Sequence, residues 1–436
     1  MSQFEAQPPH GVDVQKLETL VRTAVFKPAN AVVGYLLQSA ADRIDERYQP
    51  RPGQVRKGRE TIRVQGLFGT FDLTRDYYYP AGKQQGHYPA DAALGLEVSY
   101  TPALARLIGL EGADAASYQK AETHLAETGG IPVAARQIQR VVQRVGQSAQ
   151  AWQAREFQPQ QCEACDAPVL YVSADGTGAP MRAAELLGRA GKQADGSAKT
   201  RQVYLGCVFT QHGTDQQGRP VRDWESTTYV SSMEPIAEFG PLLRREALRR
   251  GMGQAPRVVL LVDGAEGLEN MGRLCFAGAL QIVDFYHALE HAGGVLETLL
   301  GSKQHPDYKS RQHRWAKRLL KDGVETLIAQ TRREALTAGC GDTVEQQLGY
   351  FVRNSARMQY GSFRQQGLFI GSGVIEAGCK SIIGSRCKQS GMFWSRTGAE
   401  NILAFRCIHA SRRLNKFWKY RLGQHAARND ALPLAA

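Results

Sequence analysis

The sequence predicts an α/β fold with a mixed sheet, preceded by a mainly helical N-terminal region. Three observations carry this. Between residues 168 and 283 apolar or alternating runs recur with helical patterns, in the order three strands, helix, strand, helix, strand. From 285 to 350 the spacing is wholly helical. Basic residues then gather in the last fifth of the chain. The 436 residues, 42% hydrophobic and 22% charged, are ordinary globular composition. They exclude a disordered or fibrous class and leave room for about two to four domains. The strand-like apolar run Val258-Val259-Leu260-Leu261-Val262 is five residues long, whereas a membrane helix needs about 20, so no membrane partner is expected. The first thirty residues lack a basic start followed by an apolar stretch, so the expected location is cytoplasmic.

Taken in order, residues 1–50 read as helical, with an amphipathic stretch over 17–48 that Pro28 breaks or starts. Alternation over 61–65 and 70–74, around Gly66 and Gly69, predicts a hairpin that ends at Tyr77-Tyr78-Tyr79-Pro80. Helices resume near Pro102. Residues 117–148 read as two helices across Gly129-Gly130, the second carrying Arg136, Arg140 and Arg144 among glutamines. That is a helix-turn-helix pattern, and Arg and Gln are the side chains that read guanine and adenine edges. Strands follow at 169–173, 202–210 and 227–231, then a helix at 235–250, a buried strand at 257–262, a helix at 268–276 and a strand at 280–283.

The eight cysteines are scattered and read as mostly free thiols. Cys162 and Cys165 have zinc-knuckle spacing, but no second C-x-x-C completes a site, so a turn before the strand competes with zinc. The net charge is +12. From Phe351 onward fourteen Lys and Arg face three acidic residues, interleaved with Phe393, Trp394, Phe417, Trp418 and Tyr420. Concentrated positive charge with aromatics suits a polyanion, most simply nucleic acid.

Three acidic residues stand out by context. Asp175 follows an apolar strand and precedes Gly176-Thr177-Gly178. Asp263 follows the most buried-looking strand and precedes Gly264. Glu376 opens an apolar helix after Gly371 and Gly373. Any one of them reads as a turn residue, since Asp-Gly favours turns. Three in one mixed α/β segment, beside a basic block, read as hard oxygen ligands on a rigid frame.

At this point the sequence resembles a family: bacterial insertion-sequence DDE transposases of the Kra group, RNase H-like and akin to Mutator-like transposases. The matching stretches are Ser173-Ala174-Asp175-Gly176-Thr177-Gly178, Gly191-Lys192-Gln193-Ala194-Asp195-Gly196, Val262-Asp263-Gly264-Ala265-Glu266, Ile282-Val283-Asp284-Phe285-Tyr286-His287-Ala288 and the run from Gly371 to Ser395. They cover roughly residues 165–410. The resemblance implies a catalytic triad of Asp175, Asp263 and Glu376 holding two Mg2+ (or Mn2+) ions, with His287 accessory in a (Cys or Asp)-x-x-His motif. The spacings of 88 and 113 residues imply an all-helical insertion before the glutamate. The implied organisation is a DNA-binding N-terminal region over 1–150, an RNase H-like domain over 165–287 and 370–412, a helical insertion over 288–369 and a basic tail over 413–436. The implied partners are double-stranded DNA, as transposon ends and target, and further copies of the chain in a synaptic complex, which adds nucleoid association to the expected location.

Lys380, Arg386 and Lys388 follow Glu376 and are expected to hold the DNA backbone. Lys192, Lys199 and Arg201 are weaker candidates. Trp394 reads as core. Two other function classes compete. A catalytically inactive DNA-binding regulator would use residues 117–148. A zinc hydrolase would use His287-Ala288-Leu289-Glu290-His291, which spells H-x-x-E-H with both histidines on one helical face.

Overall fold

The computed structural model describes residues 13–80, 86–191, 193, 196 and 198–430. Lys192, and the side chain of Arg428, lie outside the described part. The chain divides into two compact units, Met1–Arg144 with Asn415–Ala436, and Val145–Leu414.

The first unit opens with α1 (Val14–Arg47), capped by Asp13, whose carboxylate accepts from Lys16 N–H. Pro28 sits inside this helix and neither breaks nor starts it. Docking beyond the proline outweighs the lost backbone bond. Asn30 donates to Thr70 O, Gln38 both donates to Thr74 O and accepts from Thr74 N–H, and Gly34 lies against Phe71. The hairpin β1 (Gln54–Gly66) and β2 (Gly69–Pro80) is longer than its alternating centre suggests and includes the tyrosine run. Ala41, Val64, Leu73, Ala90 and Leu96 form the core of this part. The short α2 (Pro89–Ala93) was not anticipated; α3 (Pro102–Asp114) starts where expected. Then come α4 (Tyr118–Gly129) and α5 (Ala135–Ala154), and the division between units falls within α5. Gly130 ends α4 in a left-handed conformation, and Glu122 accepts from Ala135 N–H at the start of α5. A side chain at Gly112 would meet Ile138 and Val142 at 2.6 Å, so α3 and α5 pack at backbone distance.

The second unit is built on a mixed sheet. Its strands are β3 (Val169–Pro180), β4 (Thr200–Thr214), β5 (Pro220–Arg222), β6 (Thr228–Ser232), β7 (Val258–Val262) and β8 (Leu280–Val283). The order is β5-β4-β3-β7-β8, with β6 also on β4. The β3–β4 pair is antiparallel; β3–β7 and β7–β8 are parallel. The two parallel steps are crossed by α6 (Ile236–Arg249) and α7 (Glu266–Cys275). Leu170, Val172, Val208, Phe239, Leu243, Leu260 and Val262 bury together beneath α6 and α7. Only the three-residue β5 escaped the sequence reading of this sheet.

An all-helical segment follows: α8 (Phe285–Leu300), α9 (Tyr308–Leu319), α10 (Val324–Thr337) and α11 (Gly341–Asn354). After α12 (Tyr360–Gln365) the chain returns to the sheet in α13 (Gly373–Gly378), which runs through a π-helical stretch, Cys379–Gly384, into α14 (Ser385–Cys387). α15 (Arg396–Ala410) completes the unit, packed on β6. The last helix, α16 (Leu414–Asp430), joins the first unit, where Phe417 and Trp418 are buried. The basic tail foreseen at 413–436 is therefore helical over its described length. Arg421, inside that helix, is buried in an ion pair with Glu97.

Candidate active site at the carboxyl ends of the parallel strands

Asp175 is not at the end of its strand. β3 continues to Pro180, paired with β4, and only the parallel pairing to β7 stops at Ser173–Leu261. Gly176-Thr177-Gly178 is therefore strand, not turn. A side chain at Gly176 would displace the Gln202 amide, and one at Gly178 would collide with the Thr200 side chain, so these glycines leave room for side chains of β4. Continuing the β3–β7 register by two residues sets Asp175 level with Asp263, and continuing the β7–β8 register by one sets Asp263 level with Asp284. By that continuation the three aspartates fall level with one another, Asp175 within β3 and Asp263 and Asp284 directly after β7 and β8.

Each is fixed differently. Asp175 Oδ1 accepts from Gly176 N–H at 2.6 Å, and Cys379 Sγ–H lies 3.5 Å from Oδ2. Burial pushes the Asp175 carboxyl up, hydrogen bonds from Gly176 and Cys379 oppose this, Asp263 repels it further and His287 counteracts. Burial beside Asp175 also keeps the Cys379 thiol protonated, so it acts as a donor and not as a thiolate ligand. Asp263 Oδ1 accepts from Ala265 N–H at 2.8 Å at the start of α7. Gly264 holds φ +81°, and the turn is gripped from α11: Tyr350 donates to Asp263 O at 2.9 Å and buried Asn354 reaches Gly264 O at 3.4 Å.

Asp284 is fully buried. It caps α8 by accepting from His287 N–H at 2.6 Å and also accepts from Ser372 N–H. Burial disfavours its charge, yet the hydrogen bonds from His287 and Ser372 outweigh burial and hold the carboxyl below its ordinary range. His287 Nδ1 lies 3.4 Å from Asp284 Oδ1. That hydrogen bond to the carboxylate raises the imidazole to about 9 against the opposing effect of burial. Ser372 completes the link, since its hydroxyl donates to Glu376 Oε1 at 3.0 Å. Asp284, His287 and Glu376 each offer a ligand atom within 4.8 Å of the other two, and they form the tight metal-competent group among the described residues. Asp175 and Asp263 stand outside that trio but couple electrostatically to His287.

α13 seats Glu376 by close contact. A side chain at Gly378 would meet Tyr229 at 2.7 Å and Leu205 at 3.1 Å, so only glycine lets the helix lie on β4 and β6. The π-helical stretch that follows carries Cys379 to Asp175. π-Helical segments are rare and concentrate at functional sites.

The basic candidates divide. Lys380 is exposed on the π-helical stretch. Lys388 is exposed and its ammonium reaches Thr177 Oγ1, two residues beyond Asp175. Arg386 is a correction. It is 0% exposed, with its guanidinium 5.0 Å from the Trp394 ring centre and donating to Met392 Sδ, so it is interior structure and not a DNA contact. Trp394 is core, as expected, and its indole donates to Cys387 O. Lys199 lines an apolar cleft with Leu186 and Phe393 at the far end of the β3–β4 connection. Arg201 is largely covered beside Glu185. Arg136, Arg140 and Arg144 are exposed along one face of α5. The H-x-x-E-H segment does not converge on a metal position: the His291 ring stacks on Tyr350 at 3.7 Å, and neither it nor Glu290 joins the trio. Cys162 and Cys165 are free thiols; Cys162 points its Sγ–H at Leu248 O, and no metal-competent group among the described residues includes either.

In the sequence Asp284 stands out only as part of a motif with His287. Its burial and its bonds to both His287 and Ser372 make it the hub of the site. The signal available in advance was only its position directly after the strand-like run 280–283. Tyr350 and Asn354 carried no local signal.

No family description matches this chain, and no curated protein matches it. Among solved structures it is similar to a chain of the Drosophila P element transposase strand transfer complex, with a TM-score of 0.25 and 10% identity, covering 75% of this chain and 81% of that chain. At that level the likeness says nothing of what this chain does. What the fold and site define is a mixed α/β unit with Asp263 and Asp284 just past the carboxyl ends of two parallel strands and Asp175 inside the neighbouring β3. No helix among the described residues is long and apolar enough to cross a membrane.

Proposed function

We propose that the chain is a DDE-type DNA transposase. It would hydrolyse a phosphodiester at the end of a mobile element, leaving a 3′ hydroxyl and a 5′ phosphate, and that hydroxyl would attack a target phosphodiester, forming a new ester bond as the target strand's own 3′ oxygen leaves. The observation that carries this reading is the row of Asp175, Asp263 and Asp284 across three adjacent strands, with Glu376 tied to the same hub through Ser372. Support for the RNase H-like form of the reading comes from the mixed sheet interrupted before Glu376 by a purely helical segment.

The donor set fits a hard divalent cation. Four carboxylates supply oxygen, and the nearest sulfur is a protonated thiol, which suits Mg2+ or Mn2+ better than zinc. Asp175, Asp263 and Glu376 would hold the ions, steadied by Asp284 and His287. Bound there, such ions would activate water and neutralise charge on the phosphoryl oxygens. The chain's own groups do the rest. Asp284 fixes the His287 ring, leaving its second ring nitrogen to donate to a phosphoryl oxygen. Lys388 and Lys380 would bind flanking phosphates, and the exposed arginines of α5 would read the element's ends.

The test is nicking of a labelled plasmid carrying the flanking terminal repeats, with Mg2+, comparing wild type with Glu376→Gln. The expected result is metal-dependent nicking at the repeat ends that Glu376→Gln reduces by at least a hundredfold, of the order of losing a group that holds a catalytic ion. Equal cutting by both proteins would overturn the role of Glu376. Tight repeat binding with no cutting by either would favour a catalytically inactive regulator.

A further inference from the structure

We propose that α9, in the helical segment between β8 and α13, forms a second site for the phosphate backbone of DNA, separate from the carboxylate row. The proposal rests on the DNA reading above but on different residues. From Lys303 to Lys321 the chain carries seven Lys and Arg and a single acid, Asp307. This basic segment lies outside the C-terminal block that dominates the net charge. In the fold it lines a cleft of about 630 Å3, into which Arg311, Arg314, Lys317, Arg318 and Lys321 converge. The one carboxylate lining the cleft, Glu334, is held by Arg311 at 2.6 Å. The other four cations form no ion pair among the described residues.

The geometry is built, not incidental. Trp315 and Leu319 are buried on the inner face of α9, with Trp315 edge-on to Phe351 of α11, so the helix cannot roll. Residues 311, 314 and 318 recur at helical spacing along one flank of α9 beside its buried face, and Lys321, just past the helix end, extends the same cleft. Ten residues at about 1.5 Å each span roughly 15 Å, about four base-pair steps of duplex. Crowding like charges in a cleft opposes folding. Elsewhere the chain pairs its arginines, as in Arg332–Glu345 and Arg357–Glu269. Phosphates supply the counter-charge that the cleft lacks. An acidic protein segment is the competing ligand, and it would show no dependence on DNA.

The experiment uses the full chain in a Glu376→Gln background, so that binding is measured without cleavage. Affinity for a short fluorescein-labelled duplex of unrelated sequence is followed by anisotropy from about 50 to 200 mM salt. The test variant is Lys317→Gln/Arg318→Gln/Lys321→Gln. A control, Arg332→Gln/Arg333→Gln, removes two exposed arginines of α10. The test variant should bind at least tenfold more weakly, with the slope of log K against log salt smaller by about 2–3, while its melting temperature stays at or above the parent value, as relief of like-charge crowding requires, and the control's binding stays at the parent value. A test variant that binds like its parent, or a control that loses as much, overturns the proposal. Absence of salt-dependent binding by the parent would instead overturn the DNA reading and this site with it.

Discussion

Lys388 and Arg386 stand two positions apart in one basic stretch, yet the ammonium of one reaches Thr177 while the guanidinium of the other lies under Trp394. Their losses should therefore differ in kind. Lys388→Gln should leave the melting temperature unchanged and lower the salt slope of DNA binding by about 1, the signature of one phosphate contact. Arg386→Gln should cost about 2 kcal/mol of stability, through lost packing and an ill-matched buried amide, and leave the salt slope alone. A salt slope that changes in Arg386→Gln would return that residue to the DNA surface. Arg406 and Arg413 resemble Arg386: one donates to the carbonyls of Ser381 and Ile382, the other pairs with Glu246 and Glu163. Composition alone assigns all of these to one charged patch, but burial divides them.

Helices do two jobs in this chain, positioning and docking. α11 positions the site by gripping the Asp263–Gly264 turn. Tyr350→Phe keeps the ring that stacks on His291 and removes only the hydroxyl. It should cost about 1 kcal/mol in stability and raise the Mg2+ concentration needed for half-maximal nicking, because the Asp263 backbone is freed. An unchanged Mg2+ requirement would reduce α11 to scaffold. α1 docks on the hairpin through Asp45, which accepts from Asp76 N–H. Burial raises the Asp45 carboxyl to about 6 from an ordinary 3.8, the Asp76 bond opposes this and the Asp76 charge adds to it. The folded state thus holds this proton more tightly than the unfolded chain does. The associated stability is complete below about pH 4 and is lost as pH rises toward about 6. Asp45→Asn should flatten urea-unfolding stability between those pH values and raise it at pH 7 by about 1 kcal/mol, after allowing for solvent screening. A variant with the wild-type pH slope would place that dependence elsewhere.

Across the whole molecule the net charge is +12, and its described exposed portions include α9, Lys380, Lys388 and the outer face of α5. If several of these meet phosphate, affinity for unrelated duplex should fall by about 10³ or more from 50 to 200 mM salt. A fall of less than tenfold would mean that the charge serves solubility alone. The mixed α/β order, each main strand of the second unit and the helical run after residue 285 were legible in the sequence, because strand and helix periodicities are local and the turn residues between them are distinct. The continuity of α1 through Pro28 was not legible: the proline penalty is local, while the hairpin contacts that offset it lie some forty residues away. Asp175 and Asp263 could be singled out because each follows an apolar run. Asp284 could not be ranked beside them, since its place in the row follows from the register between strands, which no single stretch of chain encodes. By itself, then, the sequence determined the kinds of element, their order and which side chains had metal- or phosphate-binding chemistry. The tertiary structure alone decided which carboxylates share a row and which arginines face water, because burial and register are set by partners distant in the chain.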